Sequence, residues 1–298
     1  MKLFYHQDWR GNFGDDLNPV FFSQNASGYE ARLPGYELRG IGTLLNNVHG
    51  PIHHNVIFGA GFGYDGAVDV DWPTTRVIGV RGPITAKALG IDPVQYVIGD
   101  PAIYVGLMPA LLSGTSLAKH DVPVVAIHHR TAELWDLRRC ARDSLYFLDP
   151  GDTSITDYIA TIRNAPVVYT ESLHGAIIAA TFGVPFVPIS IRNPLEKTKW
   201  TDFGQSVDID LSSAITVPGL KIPQIRRYQV AAACRVRSKA LYGMIRYGVK
   251  PSAREESALV DGIKAIGRQG GAIRLVDKKR IAFLQGKIER GLDQLRAL

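Results

Sequence analysis

The chain has 298 residues, about twice the ~150 of a typical domain, with 46% apolar and 21% charged residues, 30 Gly and 17 Pro. That composition excludes collagen-like, coiled-coil and wholly disordered chains. Its two cysteines, Cys140 and Cys234, have no CxxC spacing, so neither a disulfide framework nor a zinc site is expected, and a reducing, cytoplasmic setting fits best. The net charge of +6 is uneven: residues 221–298 hold 18 Lys/Arg against 6 Asp/Glu, and residues 1–220 hold 16 against 22.

Short β-rich apolar runs alternate with helix-like stretches and end in polar or glycine-rich loops. This is the pattern of an α/β protein with parallel sheets, here expected as two Rossmann-like domains, 1–115 and 116–225, followed by a basic helical tail, 226–298. The opening MKLFYHQDWRGNFGDD carries charges throughout, unlike a signal peptide. The predicted strands are Lys2–His6, Asn55–Gly59, Arg76–Val80, Gln95–Ile98, Val122–Ile127, Pro166–Thr170 and Pro185–Ile189. Helices are predicted over Asp16–Gln24, Pro83–Leu89, Thr156–Asn164 and Ala176–Phe182. The longest apolar run, Ala176 to Ile191, is broken by Gly183, Pro185 and Pro188 and falls short of the ~20 residues that span a bilayer, so no transmembrane helix is expected.

In parallel α/β sheets ligands bind beyond the carboxyl ends of the strands, so the residues after each strand matter most. After the first comes Asn12 with Asp15 and Asp16; one of the two acids is expected to cap the next helix and the other to meet a ligand. The segment Phe58-Gly-Ala-Gly61-Phe-Gly63 is not GxGxxG, and it fits a close backbone approach to an anion or simply a tight turn. Arg81 stands before a helix that begins at Pro83, where a guanidinium and free helix N–H groups together suit a phosphate or carboxylate. The competing role for such an arginine is a structural tie to a neighbouring carboxylate.

A boundary is expected around Pro109–Asp121. The following strand ends in His128, His129 and Arg130, possible substrate contacts with no partner at metal-ligand spacing. The run Thr170-Glu-Ser172-Leu-His174-Gly places His174 in the turn that launches an Ala-rich helix, where the helix dipole favours a neutral imidazole ready to move a proton. Arg192, Lys197 and Lys199 follow the last strand and are candidates to complete an anion site facing Arg81. From Ile225 onward Ala, Arg and Leu dominate. The last helix is expected over Val276–Leu298, with Ile281, Leu284, Ile288, Leu292 and Leu295 at helical spacing.

The NFGDDLNP loop, the VRGPITAKAL segment, the GDPAIYV stretch and above all ESLHGAIIAATFGVPFVPI resemble the polysaccharide pyruvyl transferase family, over roughly residues 2–205. The resemblance implies a GT-B-like fold and transfer of pyruvate from phosphoenolpyruvate, as a donor substrate rather than a cofactor, onto two hydroxyls of a hexose as a cyclic ketal. It places the catalytic histidine on His174 and the donor-binding arginine on Arg81. Where some relatives have an arginine two residues before the histidine, this chain has Ser172, and Arg192, Lys197 or Lys199 would stand in. Asn12, Asp15 and Asp16 would orient the acceptor. No metal is invoked. A lipid-linked oligosaccharide acceptor would bring the enzyme to the inner face of the cytoplasmic membrane, with the basic tail as a peripheral anchor to anionic lipid. The alternative reading is a nucleotide-sugar glycosyltransferase of the same architecture. Nucleic acid is not expected as a partner, since no reading motif accompanies the basic charge.

Overall fold

The computed structural model describes residues 1–8, 11–46, 52–63, 68–119, 121–132, 137, 143–191, 196–217, 252–268 and 273–298. Two parallel sheets form the frame. The first is β1 (Lys2–Phe4), β2 (Glu37–Arg39), β3 (Asn55–Ala60) and β4 (Thr75–Val80), in that spatial order. The second has the order β6-β5-β7-β8-β9, built from β5 (Val124–Ala126), β6 (Tyr146–Leu148), β7 (Val168–Thr170), β8 (Phe186–Ser190) and β9 (Ile215–Thr216). Strands such as β3, β5 and β8 are buried along their whole length, as expected for parallel strands covered on both faces.

The helices α1 (Phe13–Asn25), α2 (Pro83–Ala88), α3 (Pro93–Tyr96), α4 (His129–Ala132), α5 (Ile155–Arg163), α6 (Leu173–Phe182), α7 (Lys197–Ser206), α8 (Ala253–Arg268) and α9 (Lys278–Ala297) connect and cover the sheets. Helix α6 is apolar all round, which marks a helix enclosed on every side. It packs against β7, β8, α5, α9 and the 3₁₀ segment Pro101–Leu107, so it lies between the two halves. One core accordingly joins Phe21, Phe22 and Phe58 from the first half with Val124, Ile177 and Phe186 from the second.

Two expectations need correction. Gln95–Ile98 is not a strand: Asp92 caps a single helical turn by accepting from Val94 N–H at 2.9 Å, Pro93 starts it, and the stretch meets β4 only at Val80, through an isolated bridge from Val97 and an Ile98 N–H to Val80 C=O bond of 3.1 Å. The basic stretch after β8, for which no helix is predicted, contains helix α7, which Glu196 caps by accepting from Thr198 and Lys199 N–H at 3.1 and 2.8 Å. The expected tail is helical, but its two described helices are built into the cores. Leu259, Ile263 and Ile266 of α8 pack in the second sheet's core, and Ile281, Leu284, Ile288, Leu292 and Leu295 of α9 pack in the core shared by both halves. Residues 218–251, which include the expected boundary at 225/226, lie outside the described residues.

Candidate functional site

A cavity of about 330 Å³ opens at the carboxyl ends of both sheets. The first half contributes His6, Asn12, Asp15, Gly42, Thr43, Leu44, Asn46 and Arg81. The second contributes His128, His129, Pro150, Ser172, Leu173 and His174, and α7 contributes Lys199. The strand-end rule therefore locates the site in both halves at once.

The start of α1 divides its two acids. Asp16 accepts from the backbone N–H of Asn12 at 2.8 Å and so closes the first turn, while Asp15 faces the cavity and accepts from the Asn12 side chain. Burial, with Asp16 adding to it, raises the Asp15 carboxyl to about 7, although Lys199 and Asn12 pull the other way. Asn18 of the same helix bonds both the N–H and the C=O of Ile41 at 2.8 Å, and buried Arg39 donates to Leu44 C=O at 3.0 Å. These bonds fix the 40–46 loop that forms one wall.

Arg81 is 1% exposed and is the second-largest fully buried side chain. Its Nε meets Asp202 of α7 at 3.0 Å, and its two terminal nitrogens donate to Thr43 Oγ1 at 3.1 Å and Phe62 C=O at 2.9 Å. Asp202 also accepts from Thr85 N–H at 3.0 Å and from the Thr85 hydroxyl at 2.6 Å. The structural tie to a carboxylate is therefore present, and Arg81 lines the cavity as well. Gly61 does not line the cavity. A Cβ there would lie 2.0 Å from Arg81 Cζ, so its bare Cα makes room for the guanidinium.

In the second half, Glu171 ties strand ends together by accepting from Ile191 N–H at 2.6 Å and His128 N–H at 3.4 Å. Ser172 caps α6 by accepting from Gly175 N–H at 3.4 Å, and it lines the cavity. His174 then sits in the first turn of α6 with its side chain 14% exposed. Its ring lies against α1: a Cβ on Gly14 would stand 1.9 Å from His174 Nδ1. Burial, followed by the charges of Lys199 and Arg81, lowers His174 to about 3, so the imidazole is neutral at neutral pH.

Of the three cations expected after β8, Lys199 lines the cavity and Lys197 is exposed on α7 away from it; Arg192 lies outside the described residues. His128 and His129 line the cavity with their rings 4.1 Å apart. Among the described residues no three His, Cys, Asp or Glu side chains converge as a metal site. Two residues escaped the sequence reading. Asp202 lies in α7, a helix that is not among the predicted ones. Asp100 follows a Gly in GDP, and its Oδ1 caps the next turn by accepting from Ala102 N–H at 3.0 Å. Its Oδ2 lies 3.9 Å from His174 Nε2.

The family described as Polysaccharide pyruvyl transferase matches residues 51–193, which include Arg81, Asp100 and His174. The succinoglycan biosynthesis protein ExoV of Rhizobium meliloti (strain 1021) is 33% identical over 211 residues, 70% of this chain and 66% of ExoV. The chain thus spans just under two thirds of that relative's length. Among solved structures, the Methanocaldococcus jannaschii UDP-GlcNAc 2-epimerase in complex with UDP-GlcNAc and UDP covers 87% of this chain and 82% of its own at 11% identity and a TM-score of 0.35, too loose a likeness to bear on the site.

Proposed function

Because the chain belongs to the polysaccharide pyruvyl transferase family, we propose that it moves pyruvate from phosphoenolpyruvate onto two hydroxyls of a hexose in an exopolysaccharide repeat unit, with the two halves facing each other as in a GT-B fold. One observation carries the reading: a single cavity brings together a buried neutral imidazole, His174, the cations Arg81 and Lys199, and the carboxyl of Asp15. Phosphoenolpyruvate carries a phosphate and a carboxylate, so its site needs fixed positive charge in a partly dry cleft. Arg81, held by Asp202, and Lys199 supply it.

In the proposed reaction a proton adds to C3 of the enol and leaves C2 electron-poor. A sugar hydroxyl bonds to C2 and loses its proton, phosphate departs with the C–O electron pair, and a second hydroxyl closes the ketal on C2 and loses its proton. Of the two protons released, one replaces that spent on C3 and the other leaves with phosphate. His174 is the group placed to pass these protons, and Asp15 with Asn12 orients the hydroxyl pair. Asp16 is occupied as a helix cap. A lipid-linked oligosaccharide as acceptor would hold the enzyme at a membrane surface. No helix among the described residues is long and apolar enough to cross one, so the contact we propose is peripheral.

The test is to incubate the protein with phosphoenolpyruvate and membrane-extracted lipid-linked oligosaccharide, following phosphate release and acceptor mass beside His174→Ala. Acceptor-dependent phosphate with a pyruvyl mass gain, reduced about 10²- to 10⁴-fold in the variant, is expected. No gain with any such acceptor, together with turnover of a nucleotide-sugar, would move the assignment to glycosyl transfer.

A further inference from the structure

Behind the cavity wall two buried polar atoms lie 3.9 Å apart without hydrogen-bond partners, Asp100 Oδ2 and Nε2 of the cavity-lining His174. Buried polar groups are nearly always paired, and an orphaned pair at a functional site calls for an explanation. Capping does not explain this one, because Oδ1 alone accepts from Ala102 N–H. The separation is about 1 Å longer than a hydrogen bond, and catalytic hydrogen bonds often tighten only when substrate is bound.

We propose that Asp100 is a positioning residue for His174: its Oδ2 takes the Nε2–H, fixes that tautomer, and leaves Nδ1 as the nitrogen that exchanges protons with substrate. The geometry supports this division of the ring. Nε2 is sealed from solvent while 14% of the side chain is open, so the opening lies on the rest of the imidazole, whose Nδ1 edge runs over the bare Cα of Gly14. A hydrogen bond at one ring nitrogen decides which tautomer the other presents. The charges that act most on the ring are Lys199 and Arg81, both of which disfavour imidazolium. An anionic donor between them offsets that repulsion, and the Asp100 carboxylate then stabilises the imidazolium that forms when Nδ1 takes a proton. This role rests on the proposed reaction, but the tautomer can be read without it.

The experiment is ¹⁵N NMR of the imidazoles in the full chain at neutral pH, with His174 assigned by its loss in His174→Gln, alongside phosphate release by the wild type and Asp100→Asn. Asparagine can still accept from Ala102 N–H, so the cap survives. We expect a neutral His174 in the Nε2–H form in the wild type and a mixture of tautomers in Asp100→Asn. We also expect kcat to fall about 10²-fold with the donor KM within a factor of two. An Nδ1–H tautomer in the wild type overturns the proposal whether or not the variant folds. So does a folded Asp100→Asn with unchanged tautomer and kcat, which would leave Asp100 as a cap only. Should wild type release no phosphate, the pyruvyl-transfer reading fails while the tautomer still decides the part played by Asp100.

Discussion

Arg81 shows how one side chain serves packing and chemistry together. It neutralises Asp202, which is 0% exposed and also caps α2 through Thr85. Removing one partner of such a buried pair strands the other charge, at a cost of about 3–5 kcal/mol. Arg81→Ala should therefore lose its folding transition along with its activity, as chemical denaturation followed by circular dichroism would show. Lys199→Ala, at the cavity wall, should raise the donor KM. His174 carries a second prediction. Burial holds it near 3, below the ordinary 6.5, so as pH falls through 6.5 the unfolded chain takes a proton that the folded site refuses, and stability is lost. Asp15 and Asp100, raised to about 7 and about 6 chiefly by burial, act in the opposite sense over the same range. His174→Gln removes only the first effect. Between pH 7 and pH 5 its stability should gain about 2 kcal/mol on the wild type, measured by denaturant midpoints at each pH; a constant difference would contradict a buried neutral imidazole. Gly14→Ala probes the same ring from the α1 side. Alanine suits a helix better than glycine, yet its Cβ would displace the imidazole, so a folded protein with about 10²-fold lower activity is expected.

At the scale of elements, what the sequence made legible follows from length and periodicity. The predicted helices at Pro83, Thr156 and Ala176 appear within a few residues, and α9 buries each of the five apolar residues chosen for it by spacing. The strands β2, β6 and β9, of two or three residues each, lie outside the predicted strands, although β1, β5 and β7 are as short and fall inside predicted ones. Helix α7 hid behind its composition: KTKWTDFGQS reads as a charged loop until Trp200, Asp202 and Phe203 are seen to be buried together. That error also concealed Asp202, and with it the carboxylate that holds Arg81. Asp100 was obscured differently, since a carboxylate before proline is fully accounted for as a cap until its second oxygen is located. The burial of α9 changes what a mutation there should do. Ile288, 0% exposed in the core that joins both halves, should cost about 2–5 kcal/mol when cut to alanine. Lys279→Ala on the outer side of the same helix should stay within about 0.5 kcal/mol. Equal effects would mean that α9 is an appendage after all.

For the whole molecule, the open question is what the basic charge of residues 221–298 is for, given that the apolar faces of α8 and α9 are spent on the cores. An amphipathic helix that anchors by inserting its apolar face is excluded for these two helices in the folded protein. The surface of α9 includes the cations Lys278, Lys279 and Arg290, with Phe283 51% exposed between Arg280 and Lys287, while the exposed Asp293 is paired with Arg296. Deleting the segment would not test membrane contact, because it would remove helices on which both cores depend. Charge reversal leaves the cores intact. Each cation near an anionic bilayer contributes about 1 kcal/mol, so Lys278→Glu, Lys279→Glu and Arg290→Glu together should weaken binding to vesicles containing phosphatidylserine by at least about 100-fold, with the melting temperature unchanged. The same binding should fall away in the wild type as salt rises toward 1 M, where the screening length shrinks to about 3 Å. Sedimentation with vesicles that is equal for anionic and neutral lipid, or insensitive to both the substitutions and salt, would show that the basic charge of α9 serves solubility and that the acceptor must reach the cavity without help from this face.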